Sequence, residues 1–299
     1  MSTVRALVLL LTVVAATAAK AQGTHRLVRL GFVDPDAQLN PLSATDAFWE
    51  RLRELGWVRN KNFTVVYRST EGRADRFPTL VDEVLKSKVD ILVTSTTPGA
   101  FAAKKATSTI PIVVLAFGDP VGSGLVATLA HPGGNLTGFS LEPTAEVTPK
   151  YLQILKEMVP RLSTTAIISN PNNPQIRRQV AQLKSAAAEQ HAHLRFIDVH
   201  APEDFADAFI AAHQDAEALL VLSDSITVTH RKAITELAMK YRIPTLYTTL
   251  EFVRIGGLIG YGADQNESYR GAAEYVDKIL RGSKPGELPI QQRRTSDCW

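Results

Sequence analysis

The chain has 299 residues, with 33 Lys and Arg against 30 Asp and Glu and a formal net charge of +3 at neutral pH. That length supports two lobes of ordinary domain size, each with its own core, and the near balance of charge leaves no basic surface of the kind that binds nucleic acid. The single cysteine, Cys298, excludes an internal disulfide and suits an oxidising compartment.

At the start of the chain, Arg5 precedes an apolar stretch over residues 6–16 that is too short to span a bilayer. Ala19-Lys20-Ala21 then has the small-x-small pattern of a signal-peptidase site. Residues 1–21 are read as a signal peptide cleaved after Ala21; a buried first helix is the weaker reading because the stretch has no polar face. Without Arg5 and Lys20 the basic count falls from 33 to 31 against 30 acids, a net charge of +1. No cysteine stands near the cut, which argues against a lipid anchor, and no later apolar stretch is long enough to cross a membrane. The expected location is the periplasm.

Five short apolar runs follow, at 27–33, 91–93, 112–116, 165–169 and 219–222. They break off at Asp34, at Thr94-Ser95-Thr96-Thr97-Pro98, at Gly118-Asp119-Pro120, at Asn170-Pro171-Asn172-Asn173-Pro174 and at Ser223-Asp224-Ser225. Continuous apolar runs of this length are what a parallel sheet buried on both faces requires, and ligands collect outside the carboxyl ends of such strands. A further strand is expected over 63–67. Helical stripes alternate with these runs: Phe77, Leu80, Val81, Val84 and Leu85; Ile176, Val180, Leu183 and Ala187; Ile234, Leu237, Ala238 and Tyr241; and Tyr269, Ala272, Ala273, Val276, Ile279 and Leu280. The class is α/β, built of βαβ crossovers.

Two interruptions divide the alternation. Gly and Pro crowd the stretch 119–148, and Gly256, Gly257, Gly260 and Gly262 mark 244–262, so both are expected to be hinge-side crossings between two Rossmann-like lobes. The first lobe is placed at 22–140 with a return segment at 248–285, the second at 141–247, and 286–299 is an atypical tail.

The stretch DPVGSGLVATLAHPGGNLTGFS (119–140), NPNNP (170–174), SDS (223–225) and RIPTLYTTLEFVRIGGLIGYG (242–262) resemble the ABC-transporter substrate-binding family with a periplasmic type I binding-protein fold. The similarity covers most of 27–291, and the family includes binders of tryptophan and other amino acids. It implies a monomeric two-lobed receptor that closes on a small-molecule solute and docks on an inner-membrane permease served by a separate ATPase. The tail Arg293-Arg294-Thr295-Ser296-Asp297-Cys298-Trp299 departs from the pattern, which usually continues into a further strand and helix, so an unpaired sheet edge or an exposed apolar patch is expected there.

The polar breaks supply the candidate ligand contacts. Asp34 closes the first run. Pro98 suits an early helical position, which makes Thr97 the expected N-cap and leaves Ser95 and Thr96 as hydroxyl donors beside free amides that suit a carboxylate. Asp119 and Asp224 are the candidates for a ligand ammonium, reached from opposite lobes; each also has an ordinary role, as a turn residue before Pro120 and as an N-cap for a helix starting near Ile226. Ser225 adjoins the latter. Asn170 and Asn173 offer amides for the ligand or serve turn chemistry. Tyr247 and Phe32, with Tyr67 less favoured, are candidates for a flat apolar wall, although aromatics of this fold are more often core.

Enzymatic readings are weaker. Gly122-Ser123-Gly124-Leu125-Val126-Ala127 matches a dinucleotide fingerprint but does not directly follow a strand, and no strand-ending acid stands about twenty residues on. Ser123 lacks the first glycine of a nucleophile elbow. His191 and His193 have no carboxylate or cysteine near in sequence to complete a metal site. No cofactor is expected. A periplasmic sensor subunit for a signalling partner is the alternative to transport, using the same cleft.

Overall fold

The computed structural model describes residues 27–35, 45–140, 147–262, 265–292 and 297–298. The expected leader and its cleavage point lie outside the described residues.

The first lobe runs β1 (Val28–Asp34), α1 (Thr45–Glu54), β2 (Phe63–Ser69), α2 (Phe77–Lys86), β3 (Ile91–Thr94), α3 (Thr97–Ala106), β4 (Ile112–Phe117) and β5 (Leu136–Ser140). Its strands pair in parallel in the order β2-β1-β3-β4-β5. Residues alternate between two buried faces, as the two-residue strand period demands. Leu30, Phe32, Ile91, Val93, Val113 and Leu115 face one layer of helices, while Val33, Leu92, Ile112 and Val114 meet Phe77, Leu80, Val81 and Val84 of α2 and the alanines of α3.

The second lobe runs α4 (Val147–Met158), β6 (Thr164–Ser169), α5 (Pro174–Gln190), β7 (His193–Asp198), α6 (Phe205–Asp215), β8 (Ala218–Val221), α7 (Ser225–Thr229), α8 (Arg231–Tyr241), β9 (Thr245–Tyr247) and β10 (Ile259–Gly262). The order β7-β6-β8-β9-β10 repeats that of the first lobe. Ile167, Leu220, Leu222 and Leu246 pack on α4 and α5, and Ala166, Ile168, Leu219 and Val221 pack on α6 and α8.

The chain then returns to the first lobe as α9 (Gln265–Leu280), which lies on α1. Arg51 pairs with Glu274 at 2.8 Å, Arg270 with Glu54 at 2.7 Å, and Trp57 Nε1 donates to Asp277 Oδ1 at 2.8 Å. Finally β11 (Gln291–Gln292) adds to the edge of β5 in parallel and β12 (Asp297–Cys298) adds to β10 antiparallel, so the tail supplies each sheet with a short sixth strand.

One boundary and one crossing differ from expectation. The return to the first lobe comes after Gly262, because Ile259–Gly262 pairs with Thr245–Tyr247 in the second sheet; it does not begin at Thr248. The glycine-rich stretch 119–148 likewise contains a fifth strand. At Gly138, with φ 150°, a Cβ would collide with the carbonyl oxygen of Val114 on β4. The glycine there permits close strand approach, the same composition that a linker would show.

Candidate ligand-binding cleft

Both sheets have the strand order in which the direction of chain progression reverses beside the first strand, so each has a switch point where a crevice opens at the carboxyl ends. These are β1 and β3 in one lobe and β6 and β8 in the other, and the two crevices together bound one cavity of about 970 Å³, open solvent at its mouth included.

On the first-lobe side, Asp34 at the end of β1 lines the cavity and is 3% exposed. Thr94 turns away, its hydroxyl donating to the Val33 carbonyl at 2.8 Å and tying β3 to β1. Ser95, Thr96 and Thr97 face the cavity. The N-cap of α3 is Thr96, one residue before the expected Thr97: its hydroxyl accepts from the Gly99 amide at 3.4 Å. Thr96 holds φ 67° and ψ 157°, uncommon for a β-branched residue and of the kind that clusters at ligand sites. Its own amide donates to the Ala116 carbonyl at 2.7 Å, which fixes the turn against β4. Thr97 opens the helix, accepts from the Gly118 amide at 3.0 Å and donates across the cleft to Gln175 Oε1 at 3.1 Å.

On the second-lobe side the centre is Asp224. It caps α7, accepting from the Ile226 amide at 3.1 Å, and it also lines the cavity, so both roles anticipated for it coexist. Asn170 Nδ2 donates to its Oδ1 at 2.9 Å and Asn173 Nδ2 to its Oδ2 at 2.6 Å. Asn173 reaches the cavity; Asn170 stands behind Asp224 and serves it. Ser225 lines the wall, 2% exposed, and its hydroxyl finds no hydrogen-bond partner among the described residues. The same holds for Gln179 Oε1 on α5, at 8% exposed. Buried polar atoms are nearly always satisfied, so two unsatisfied ones on one cavity wall point to a polar ligand.

The remaining wall carries Glu251, 4% exposed, with Thr248, Thr249 and the rings of Phe117, Tyr151 and Tyr269. Burial raises the Tyr151 phenol well above its ordinary range, with the neighbouring Tyr261 adding to it, so it stays a neutral hydroxyl. Three acids, Asp34, Asp224 and Glu251, line the cavity, and among its described lining residues none is Lys, Arg or His. Such a cavity suits a cationic group, with hydroxyls and amide hydrogens left for a carboxylate.

Besides Asn170, three residues expected at the ligand are placed away from the cavity. Asp119 lies outside the cavity and pairs with Arg178 of the opposite lobe. Tyr247 is in the second-lobe core, stacked on Phe252 at 4.3 Å between centroids, because the side chain points into the sheet's helix-covered face. Phe32 is likewise core, packed among Phe48, Trp49 and Tyr67. The reading from sequence missed Tyr151, Gln175, Gln179, Glu251 and Tyr269. Gln179 carried a signal: it falls on the apolar stripe of its helix, three residues after Ile176 and four before Leu183. Glu251, an acid between Leu250 and Phe252, carried another.

A family profile described as ABC transporter substrate binding protein matches residues 32–298. The tyrosine-binding protein of Clostridioides difficile is 24% identical over 247 residues, covering 83% of this chain and 71% of that one. A solved conserved domain protein from Vibrio cholerae superposes with a TM-score of 0.82 at 26% identity, over 91% of each chain. A domain from Streptococcus pneumoniae in complex with L-Trp gives 0.80 at 20% identity, again over 91% of each. The fold is that of type I periplasmic binding proteins, two parallel-sheet lobes about a cleft, and the chain belongs to the ABC transporter substrate binding protein family.

Proposed function

We propose that the protein is the periplasmic receptor of an ABC transporter, closing its lobes on a small amino-acid-like solute and delivering it to an inner-membrane permease driven by a separate ATPase. The observation that carries this reading is the cavity itself, where three buried carboxylates, Asp224 and Glu251 from the second lobe and Asp34 from the first, share one space with the hydroxyl-lined helix start of the first lobe. The ammonium is held by Asp224 and Glu251 with Asp34, and the carboxylate by Ser95, Thr96 and the first amides of α3. Phe117, Tyr151 and Tyr269 leave an apolar flank for the side chain. The amino acids bound by the two named relatives fit this division. Binding by closure fulfils the role, and the cleft calls for no catalytic step.

The test is a thermal-shift screen of free amino acids against their des-amino analogues, small peptides, organic acids and sugars. A matching amino acid at a hundred times its Kd stabilises the fold by about 2.7 kcal/mol, whereas the des-amino analogue gives no shift. Equal shifts from both would remove the ammonium from the reading. For export, mass spectrometry of the protein recovered from the periplasm is expected to find Gln22 at the amino terminus.

A further inference from the structure

At the edge of the cavity, a second set of groups joins the lobes, and its ion pair lies clear of the cavity lining. The turn after β4 meets the start of α5 across the gap. Arg178 pairs with the Asp119 carboxylate, and one turn earlier Gln175 accepts from Thr97, whose oxygen in turn accepts from the Gly118 amide. Asp119 and Arg178 do not line the ligand cavity. The turn is shaped for this contact. Asp119 sits at φ 28°, and its Oδ1 accepts from the Gly122 amide at 2.8 Å, which aims Oδ2 at the guanidinium. A Cβ at residue 118 would enter the Gln175 amide, and one at residue 122 would strike both the Asp119 carboxylate and Arg178. The two glycines stand where the opposite lobe and the ion pair need the space. The Asp119 side chain is 18% exposed and that of Arg178 46%.

We infer that the Asp119–Arg178 pair, outside the binding cavity and backed by Thr97 and Gln175 at its edge, is a latch that holds the lobes together before ligand arrives and so sets affinity. Its effect on affinity rests on the receptor reading above; its effect on lobe spacing does not. A ligand that binds only the closed form gains apparent affinity in proportion to the closed fraction. A half-exposed pair contributes modestly and is weakened by salt. Breaking it therefore weakens binding by about two- to fivefold.

The experiment is small-angle X-ray scattering on the ligand-free full chain as wild type, Arg178→Glu, Asp119→Lys and the double variant Asp119→Lys/Arg178→Glu. Thermal unfolding in the same buffer confirms that each is folded. The wild type is expected to scatter as the closed form, Arg178→Glu to show a larger radius of gyration, and the double variant to recover relative to Asp119→Lys, which carries the same turn strain. Added salt widens the wild type, whereas in Arg178→Glu it screens a repulsion and does not widen the lobes. An open ligand-free wild type, an Arg178→Glu variant of unaltered spacing, or a charge swap without recovery overturns the latch. If no amine solute binds the wild type, the receptor reading fails while the ligand-free scattering still decides the latch.

Discussion

Each lobe ends its first and third strands at the cleft, and what stands there differs. In the first lobe, β3 runs into three successive hydroxyl residues on a backbone held at φ 67° at Thr96, followed by a helix start. In the second, β6 and β8 run into Asn170 and Asp224, with two asparagine amides and a helix amide already donating to the one carboxylate. Identical strand order thus carries two kinds of surface. The second lobe presents a prebuilt anion whose position is fixed before any ligand arrives, which spares binding the cost of ordering it. The first lobe presents donors on a strained turn that the opposite lobe helps to hold through Thr97 and Gln175. In the proposed reading the second lobe supplies most of the cation's partners, Asp224 and Glu251, with Asp34 joining them from the first lobe, and the first lobe's hydroxyls take the carboxylate.

The strongest way to break this division is Asp224→Ala. Removing the carboxylate strips the ligand ammonium of a buried partner and is expected to weaken binding by about 2–5 kcal/mol. It also strands the amides of Asn170 and Asn173, with a stability loss of about 1–3 kcal/mol. Asp119→Ala, at a site outside the cavity, acts only through closure. Calorimetry that finds the two variants equally impaired, or Asp224→Ala unimpaired, contradicts the assignment.

A second comparison uses alkaline pH. Tyr247 ends the fourth strand of the second sheet, where the first lobe has Phe117 at the end of β4. Burial pushes the Tyr247 phenol up to about 12, from about 10 in an unfolded chain. A raised folded pKa means stability that is complete below about pH 10 and lost as pH climbs through about 12. The contribution at stake is roughly 2–3 kcal/mol. Tyr151, shifted the same way, is in the same lobe. The second lobe is thus expected to unfold first in base, and Tyr247→Phe to flatten the loss, as read by chemical denaturation at several pH values. An unchanged profile in that variant would locate the alkaline sensitivity elsewhere.

Strand ends proved easier to read than side-chain directions. The apolar runs found β1, β3, β4, β6 and β8 to within about a residue, because strands covered on both faces have no choice but to be continuously apolar. Asp34, Ser95, Thr96, Thr97, Asn173, Asp224 and Ser225 all line the cavity for the same reason: the carboxyl end of a parallel strand is where such crevices lie. Tyr247 was misread since strand position alone does not tell which face a ring takes. Asp119 follows a strand too, yet its turn carries it past the cavity to Arg178, a tertiary contact invisible in local pattern. Tyr151 and Tyr269 come from helices that flank the crossings, and nothing in their periodicity separates a ring facing the core from one facing the cleft. Glycine density was ambiguous in a physical sense, serving close strand approach at Gly138 as readily as it serves a linker.

The finest test of the difference between the lobes is a single hydroxyl. Ser225 Oγ is buried at the cavity wall with no partner among the described residues, whereas Thr97 Oγ1 in the first lobe has two. Deleting an unsatisfied buried hydroxyl removes a desolvation cost, so Ser225→Ala leaves stability unchanged or raises it by a few tenths to about 1 kcal/mol. If a ligand completes that hydroxyl's hydrogen bond, the same variant loses about 1 kcal/mol of affinity. Thr97→Ala instead loses stability and affinity together, because its hydroxyl already bridges the Gly118 amide and Gln175. Opposite signs for stability and affinity at Ser225, measured by denaturation and calorimetry on one preparation, mark a group kept for the ligand. Parallel losses at both positions would make Ser225 part of the scaffold, and the second-lobe wall would then be prebuilt around Asp224 alone.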